Sequence, residues 1–305
     1  MGKKISIIVA TLNEAKDIED LLKSVKNQAF RDYEILVVDG GSTDGTIEIA
    51  KKYTKNVFVL PKAGVAKSKN YAIKKARGEL IQFFDADNFI SDRNYLKKVH
   101  SIFMKNDIDA LAVKISPAKS GNMLVRAQAA YRKTRWEHHQ KDNVFDVDPK
   151  NITFSVFRHD FVRKIGGFNE KMVGNDDIYM AAMTKKLNAK TLFDPCIEVY
   201  HKDPYDFGQI KRQALWYGRV TTQDPLARQI KRLGYLGVYI ALYALSLLFL
   251  MSQQWLWFVA INVQFILAGL YVFSRSLDLA GGLYLIYVLN PYRAFYFYLG
   301  YLRSA

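Results

Sequence analysis

Two aspartates, Asp85 and Asp87, follow the apolar run Leu-Ile-Gln-Phe-Phe at residues 80–84, with one alanine between them. In an extended segment, side chains two residues apart point the same way, so both carboxylates would project on one face at the end of a strand. Two anions held together repel each other unless a cation lies between them. The pair is therefore a candidate cation site, to be weighed against a purely structural carboxylate pair.

The strand before these aspartates belongs to a regular series of predicted elements in the first 90 residues. Runs that are apolar on both faces suit a parallel sheet covered by helices. The pattern predicts a doubly wound α/β fold, whose ligands bind at the carboxyl ends of the strands. The strand segments are ISIIVA, EILVVD, NVFVL and LIQFF, and the helical segments are DIEDLLKSVKNQ, TIEIAKKY and GVAKSKNYAIKKARG.

Polar residues stand at the predicted strand ends: ATLNEA after the first, DGGSTDGT after the second and DADN after the fourth. Neither the G-x-G-x-x-G pattern of dinucleotide-binding folds nor a P-loop occurs there. Asp39 ends the second strand, where an acid commonly accepts hydrogen bonds from the ribose or base of a nucleotide. Taken alone, Asp39 could equally be a turn former, since the glycines beside it permit a tight loop.

Bulk composition limits the function classes. The 305 residues suffice for two domains or one large one, and 44 Lys and Arg against 29 Asp and Glu give a formal charge of +15. Such a charge favours an anionic partner: nucleic acid, anionic lipid or a phosphorylated substrate. The only cysteine, Cys196, excludes an internal disulfide, and the apolar run near the start is too short for an export signal.

The composition changes near residue 233, and two apolar stretches follow at 234–251 and 255–273. Each is about long enough to cross roughly 30 Å of hydrocarbon as a helix, which predicts a transmembrane hairpin. The basic flanks, Arg228, Lys231 and Arg232 before the first span and Arg275 after the second, place both flanks in the cytoplasm by the positive-inside rule. The alternative is a buried helical hairpin of a soluble protein.

A third stretch, 279–302, is rich in tyrosine and interrupted by Asn-Pro-Tyr-Arg, so it predicts either a further span or a broken, interfacial helix. The predicted organisation is therefore a catalytic domain at 1–230 and a membrane domain at 231–305.

Five segments together resemble family 2 glycosyltransferases of the GT-A fold in order and spacing, over about residues 4 to 220. The resemblance implies a Rossmann-like, mostly parallel sheet flanked by helices. It also implies an enzyme that takes its sugar from a nucleotide-diphosphate sugar donor. The segments are SIIVATLNE, EILVVDGGSTDGT, GVAKSKNYAIKKARGELIQFFDADN, IGGFNEKMVGNDDIYMAAMTKKL and VYH.

In that family the D-x-D pair contacts the nucleotide sugar and holds Mg²⁺ or Mn²⁺ against its diphosphate. The resemblance assigns this role to Asp85 and Asp87, and His201 matches a histidine that often completes the metal site. Carboxylate and phosphate oxygens suit these hard cations. The rival is the haloacid-dehalogenase phosphatase motif, but that motif usually follows the first strand, and Phe89 stands where it has Thr or Val.

The nucleotide pocket is implied by further matches. Leu12 replaces a tyrosine that is frequent at its position, and Lys69 stands where the family usually has arginine, which keeps the charge but loses bidentate phosphate geometry. Arg212 belongs to a segment similar to the Q-x-x-R-W motif of processive synthases, but Gln213 replaces the tryptophan, so Arg212 is expected only to meet the phosphates. The implied nucleotide-sugar ligands are Ala10, Leu12, Glu14, Asp39, Lys69, Asp85 and Arg212.

The catalytic base of the family is the aspartate of an E-D pair. The resemblance places Asp177 on that aspartate and Asp176 on the glutamate, with a slip of one residue possible. A base within reach of an acceptor hydroxyl can remove its proton as the oxygen attacks the anomeric carbon from behind, which inverts configuration. Asp177 as a helix N-terminal acid is the structural alternative.

A phosphate acceptor is already an anion and hardly needs a base, so the acid pair favours a hydroxyl on a lipid-linked saccharide or glycolipid over a polyprenyl phosphate. Segment 121–146 predicts either a basic, aromatic acceptor-side helix near lipid or a solvated helix packed on the core, and His138 and His139 lack metal-site spacing.

The sequence therefore predicts a metal-dependent glycosyltransferase, anchored as a multi-pass protein in the cell membrane with its catalytic domain in the cytoplasm. Its partners would be the donor, the lipid-linked acceptor and membrane lipid, and not nucleic acid. A non-catalytic membrane adaptor that retains the fold is the alternative from another class.

Overall fold

The structure is a computed structural model, and it divides the chain into two units. One comprises Met1–Ser116 and His139–Lys202, and the other Pro117–His138 and Asp203–Ala305. The boundary predicted at residue 230 falls inside the second unit. The structure describes residues 4–136, 144–145, 154–172, 174, 176–221, 226–253, 255–276, 285 and 289–303.

The strands of the described residues follow the chain in this order: β1 (Ile5–Thr11), β2 (Tyr33–Asp39), β3 (Val57–Val59), β4 (Leu80–Phe84), β5 (Asn88–Phe89), β6 (Ala110–Pro117), β7 (Val144–Phe145), β8 (Phe154–Arg158) and β9 (Thr191–His201). The helices between and after them are α1 (Ile18–Lys26), α2 (Thr46–Tyr53), α3 (Val65–Lys75), α4 (Tyr95–Lys105), α5 (Met123–Trp136), α6 (His159–Ile165) and α7 (Asp176–Lys186). All seven elements predicted in the first 90 residues are present.

One mixed sheet forms the centre of the first unit, in the order β3-β2-β1-β4-β8-β6-β9-β5, with β7 beside β9. The strands β3, β2, β1 and β4 are mutually parallel. Beyond β4 the direction changes, because β8 runs antiparallel to both β4 and β6, and β9 antiparallel to β5 and β7. The expectation of a mostly parallel sheet is therefore correct only for the first four strands.

Burial on both faces explains why the early strands are continuous apolar runs. In β1, Ile7 and Val9 pack on one face with the buried side of α1, whereas Ile8 packs on the other face with Ala72 of α3. A parallel strand covered on both sides has no solvent face on which polar residues could alternate. The carboxyl ends of β1, β2 and β4 consequently meet at one edge of the sheet.

Glu34 is a buried carboxylate that ties β2 to β1 and to the start of β4. It accepts hydrogen bonds from Ser6 Oγ (2.7 Å), the backbone N–H of Arg77 (2.7 Å) and the Arg77 guanidinium (2.7 Å). Its side chain is 5% exposed. Burial acts to raise the pKa of Glu34, but the hydrogen bonds from Arg77 and Ser6 outweigh it and leave the pKa lowered.

We expect Glu34→Gln to lower the free energy of unfolding by about 2 kcal/mol, because the charge-assisted hydrogen bonds between the Arg77 guanidinium and the buried carboxylate are lost. Since the folded-state pKa of Glu34 is lowered, its stabilisation is present above the unfolded pKa and disappears as pH falls through the folded pKa. Urea unfolding at neutral and acidic pH measures both effects. Glu79→Gln, which breaks the exposed ion pair with Lys4, is the control and should change little.

The second unit is helical. Besides α5 it contains α8 (Phe207–Thr221), α9 (Leu226–Met251), α10 (Trp255–Ser276) and α11 (Asn290–Leu302). The helix α5 packs its apolar side on the core of this unit, as one of the two interpretations of segment 121–146 predicted: Leu124, Ala127 and Ala130 are buried there with Ile210 and Leu289.

The predicted apolar hairpin exists as α9 and α10. Asn262 of α10 donates a hydrogen bond to the buried Ser246 Oγ of α9 (2.7 Å), and Phe249 stacks on Trp257. Across the part of the chain that the structure describes, however, no helix combines the length and the apolar character that crossing a bilayer requires. The prediction of transmembrane spans is corrected accordingly. In the third stretch the structure describes the α-helix Asn290–Leu302, with Pro291 in its first turn, whereas residues 279–284 and 286–288 lie outside the described residues, so the choice between a span and a broken helix stays a prediction.

Candidate active site

The two aspartates that follow β4 lie in a turn rather than on one strand face. The β4 strand ends at Phe84, and Asn88 closes the turn: its side-chain oxygen accepts from the Asp85 N–H (3.1 Å), and its own N–H donates to the Asp85 carbonyl (3.0 Å). The prediction that both carboxylates share one face of a strand is therefore wrong. The turn instead directs the two carboxylates to different partners.

Asp87 meets His201, the last residue of β9. Asp87 Oδ2 lies 3.2 Å from His201 Nε2, and the backbone N–H of Lys202 donates to the Asp87 carbonyl (2.9 Å). The contact arises because β5 pairs with β9, with Asn88 opposite His201. Strand pairing thus brings together two of the three residues predicted to hold a metal.

The donor set can be compared with the needs of a divalent cation. Within the described residues, no three side chains of the His, Cys, Asp and Glu types converge closely enough to hold a metal by themselves. Mg²⁺ commonly binds through one or two carboxylates and takes its other ligands from phosphates and water. Asp87, with His201 at its side and Asp85 in the same turn, fits such a partial set, which a nucleotide diphosphate would complete.

Asp85 meets Lys69 of α3 instead. Lys69 Nζ lies 3.8 Å from Asp85 Oδ1 and 2.5 Å from Asp176 Oδ2 at the start of α7. The Lys69 side chain is only 7% exposed, and its ammonium lies 5.7 Å and 5.5 Å from the ring centroids of Phe83 and Phe168. Burial acts to lower the pKa of Lys69, but the carboxylates of Asp176 and Asp85 outweigh it, so the pKa is raised and the residue stays cationic.

Asp176 and Asp177 occupy the first turn of α7. Asp176 engages the buried Lys69, whereas the side chain of Asp177 is exposed at the edge of the site. The protein around the Asp177 carboxyl removes part of its water and raises its pKa, and the negative charges of Asp176 and Asp85 raise it further. The hydrogen bond from the Ile178 N–H (2.8 Å) opposes this shift without cancelling it. The arrangement supplies one carboxylate neutralised by a lysine and a second, Asp177, whose raised pKa makes it a better proton acceptor than an ordinary aspartate.

Asp39 holds its own loop at the end of β2. Its carboxylate is fully buried and accepts from the N–H groups of Gly41 (2.8 Å) and Ser42 (2.6 Å) and from Ser42 Oγ (2.6 Å). Gly41 has a φ of +100°, which favours glycine in this turn. Asp39 therefore stabilises a turn in this structure, which agrees with the alternative interpretation of this residue as a turn former. It lies at the carboxyl end of β2, opposite Thr11 of β1.

The loops after β1 and β2 are joined by hydrogen bonds. The N–H of Asn13 donates to Ser42 Oγ (2.7 Å), and the N–H of Glu14 donates to Thr46 Oγ1 (2.8 Å). Ala10 lies at the end of β1, and Leu12 projects beyond it with 52% of its surface exposed. The structure thus places four predicted nucleotide ligands, Ala10, Leu12, Glu14 and Asp39, at the carboxyl ends of β1 and β2 or on the joined loops that follow them.

The remaining predicted residues lie elsewhere. Arg212 is an exposed residue of α8 in the second unit. His138 and His139 fall outside the described residues. Sequence reasoning missed Asn88, which shapes the aspartate turn, and Phe168, which covers Lys69. An asparagine directly after D-x-D and an aromatic residue after Gly166-Gly167 were the available signals.

The chain is similar in sequence to known glycosyltransferases. The family described as Glycosyl transferase family 2 matches residues 6–165. Over 120 residues the chain is 34% identical to the poly(ribitol-phosphate) beta-N-acetylglucosaminyltransferase TarS of Staphylococcus aureus, a match covering 37% of this chain and 21% of TarS. It is 27% identical over 185 residues to the glycosyltransferase AglE of Haloferax volcanii, covering 57% and 59% of the two chains. The chain thus spans only about a fifth of TarS.

Solved structures show the same fold. The structure of S. aureus TarS 1-349 in complex with UDP-GlcNAc has a TM-score of 0.53 at 20% identity, over 78% of this chain and 80% of that one. The mannosyltransferase PcManGT of Pyrobaculum calidifontis, in complex with GDP-Man and Mn²⁺, has a TM-score of 0.51 at 20% identity, over 72% and 63%. The family match covers more than half of the 305 residues, and the sheet has the fold of these glycosyltransferases. The chain therefore belongs to glycosyl transferase family 2.

Proposed function

We propose that the chain is an inverting glycosyltransferase that moves a sugar from a nucleotide-diphosphate sugar to a hydroxyl of a lipid-linked saccharide or glycolipid. The observation that carries the proposal is the buried Lys69, which joins Asp85 of the β4 turn to Asp176 at the start of α7. This ion pair gathers the donor-side and acceptor-side acids at one point of the first unit. A structural ion pair alone would not require the exposed carboxylate of Asp177 beside it.

The donor is proposed to be a UDP-sugar first and a GDP-sugar second. The family relative TarS is a beta-N-acetylglucosaminyltransferase whose structure holds UDP-GlcNAc, and the PcManGT structure holds GDP-Man. The joined loops after β1 and β2 would hold the nucleoside. The exposed Leu12 offers the base an apolar surface in place of a stacking ring.

A divalent cation, Mg²⁺ or Mn²⁺, is part of the proposal. Asp87, His201 and Asp85 would hold it, with the diphosphate oxygens completing its ligands. When bound, the ion would neutralise charge on the departing nucleoside diphosphate. The chain's own contribution is the β5–β9 pairing, which keeps Asp87 and His201 in contact.

Asp177 is proposed as the general base. Asp176 forms an ion pair with Lys69, whereas Asp177 is exposed and has a raised pKa. A raised pKa suits a carboxylate that must take a proton from an alcohol. The bond formed joins the acceptor oxygen to the anomeric carbon, and the bond broken releases the nucleoside diphosphate. An anionic phosphate acceptor would make this proton transfer unnecessary, so the acid favours a hydroxyl.

The helical hairpin supplies the proposed contact with lipid. The α9–α10 turn, which we define as running from Met251 at the end of α9 to Trp257 in the first turn of α10, carries large exposed apolar side chains: Met251 is 83%, Leu256 87% and Trp257 61% exposed. Apolar residues with tryptophan are typical of segments that enter a membrane interface. Basic residues at 228, 231 and 232 lie in the first turns of α9, before its apolar stretch, and their charge suits the anionic cytoplasmic leaflet, where we place the enzyme.

We expect the double variant Leu256→Asp and Trp257→Asp to lose binding to vesicles that contain anionic lipid. Insertion of the α9–α10 turn into the membrane interface would then require two charged carboxylates to be removed from water. Vesicle flotation of the full chain measures the effect. Met104→Asp is the matched control, since Met104 is an exposed apolar residue of the first unit. Equal flotation of both variants and the wild type would refute the lipid contact at the α9–α10 turn.

The proposed function is tested by incubating the full chain with a panel of UDP- and GDP-sugars and Mg²⁺ or Mn²⁺. Release of nucleoside diphosphate from one member of the panel is the expected result. Failure to turn over any nucleotide sugar, with or without lipid-linked acceptors, would contradict the proposal and favour the non-catalytic adaptor.

A further inference from the structure

Asn70, the residue after Lys69 on α3, forms hydrogen bonds with the segment that follows α6. Its side-chain Nδ2 donates to the carbonyl oxygen of Phe168 (2.8 Å) and to Glu170 Oε1 (2.9 Å), and its Oδ1 accepts from the N–H of Phe168 (2.8 Å). One side chain thus satisfies both backbone polar groups of Phe168. We name this set of contacts the Asn70 clasp.

Gly167 allows the clasp to close. The φ of Gly167 is +77°, and a Cβ built on this residue would collide with Asn70 Oδ1. Any other residue would therefore meet both backbone strain and a collision with the Asn70 amide. The preceding Gly166, at φ +83°, ends α6 and turns the chain toward α3.

The clasp fixes more than a loop, because Phe168 belongs to the environment of Lys69. The Phe168 ring is 6% exposed, packs edge-on against Phe83 at 5.2 Å, and lies 5.5 Å from the Lys69 ammonium. Lys69 in turn holds Asp176. A continuous chain of contacts therefore runs from Asn70 through Phe168 and Lys69 to the first turn of α7.

We propose that Asn70 is a positioning residue of the transfer step. The Asn70 amide holds Phe168 against α3, Phe168 holds Lys69 in place, and Lys69 fixes the first turn of α7 and thereby the position of Asp177. The inference rests on the proposed function, since it assigns Asn70 to the acceptor-side acid of that reaction. Asn70 itself touches no reacting atom.

Kinetics of Asn70→Ala test the proposal. We expect kcat for transfer to fall about 10- to 100-fold, because small displacements of a catalytic group have effects of this size, while the donor Kd stays within about twofold. Asn70→Asp keeps the acceptor for the Phe168 N–H but loses both donated bonds, so its kcat should be intermediate. Asn106→Ala, which removes one side-chain hydrogen bond at the far end of α4, is the control and should keep wild-type kcat. Wild-type kcat in Asn70→Ala, or donor affinity that falls in parallel with kcat, would overturn the inference.

A second measurement does not depend on activity. Gly167→Ala should lower Tm in the wild type by more than it does in the Asn70→Ala background, since the collision with the amide is absent there. Equal losses in both backgrounds would show that the clasp does not form. If the wild type transfers no sugar, the proposed function and the positioning role both fail, whereas unequal losses would still show the contact to be real.

Discussion

Asp177→Asn should lower kcat by about 10²- to 10⁴-fold, because a hydroxyl acceptor must lose its proton as it attacks the anomeric carbon. The donor Kd should change little, because this substitution leaves unchanged the proposed nucleotide ligands on the loops after β1 and β2 as well as Lys69 and Asp85. Steady-state kinetics with the donor found in the panel, beside calorimetric donor binding, measure the two quantities.

Asp176→Asn is the comparison, and the structure predicts a different outcome for it. Because Asp176 pairs with the buried Lys69, its loss leaves a buried cation short of a partner and should lower Tm as well as activity. Asp177→Asn removes an exposed carboxyl and should keep a Tm near that of the wild type. If only Asp176→Asn is inactive and its Tm is normal, the base is Asp176 and the assignment is off by one residue. If both variants keep near wild-type turnover, the general base is wrong and a polyprenyl phosphate becomes the better acceptor.

The pH dependence follows from the same carboxyl. The pKa of Asp177 is raised, first because the surrounding protein removes part of the water from its carboxyl and then by the charges of Asp176 and Asp85, so the wild-type kcat should rise with pH through a value above that of an ordinary aspartate. This rise should be missing from the residual rate of Asp177→Asn.

Removal of divalent metal should lower wild-type turnover by about 10²-fold or more, because the charge of the departing diphosphate would go unneutralised. Asp87→Asn should have a comparable effect at fixed metal concentration, since Asp87 is the carboxylate held against His201. Activity after EDTA treatment and after addition of Mn²⁺ or Mg²⁺ is the measurement.

Asp107→Asn serves as the control for a lost surface charge, because the Asp107 side chain is 84% exposed and forms an ion pair with the exposed Lys190. Full activity in EDTA, or an Asp87→Asn variant as active as the Asp107→Asn control, would rule out the metal role.

The early half of the fold could be predicted from sequence because its elements have local signatures. The runs that became β1, β2 and β4 are apolar throughout, and α1 repeats apolar residues at Ile18, Leu21, Leu22 and Val25. The antiparallel pairing of β8 with β4 and β6 could not be predicted from such local signatures. Whether β8 joins β4 from the opposite direction depends on contacts between segments far apart in the chain, such as Gln82 with Val156.

In the candidate site, too, local features could be predicted from sequence, whereas contacts between distant segments could not. Motifs in the sequence single out Asp85, Asp87 and Asp177 as candidates, but the residues that contact them could not be predicted. Lys69 and Asp176 are 107 residues apart, and Asn70 and Phe168 are 98 residues apart. The expectation that the aspartates share a strand face failed because a local competitor, the Asn88 side chain, folds them into a turn.

The anomeric configuration of the sugar first released from the donor tests the central claim most directly. The wild type is incubated with the UDP- or GDP-sugar that it turns over, and proton NMR spectra are recorded before the free sugar has time to mutarotate. An inverting enzyme, in which a base-activated oxygen attacks from the face opposite the nucleotide, should release the β-anomer from an α-linked donor. Release of the α-anomer would show retention and contradict both the single displacement and the role of Asp177.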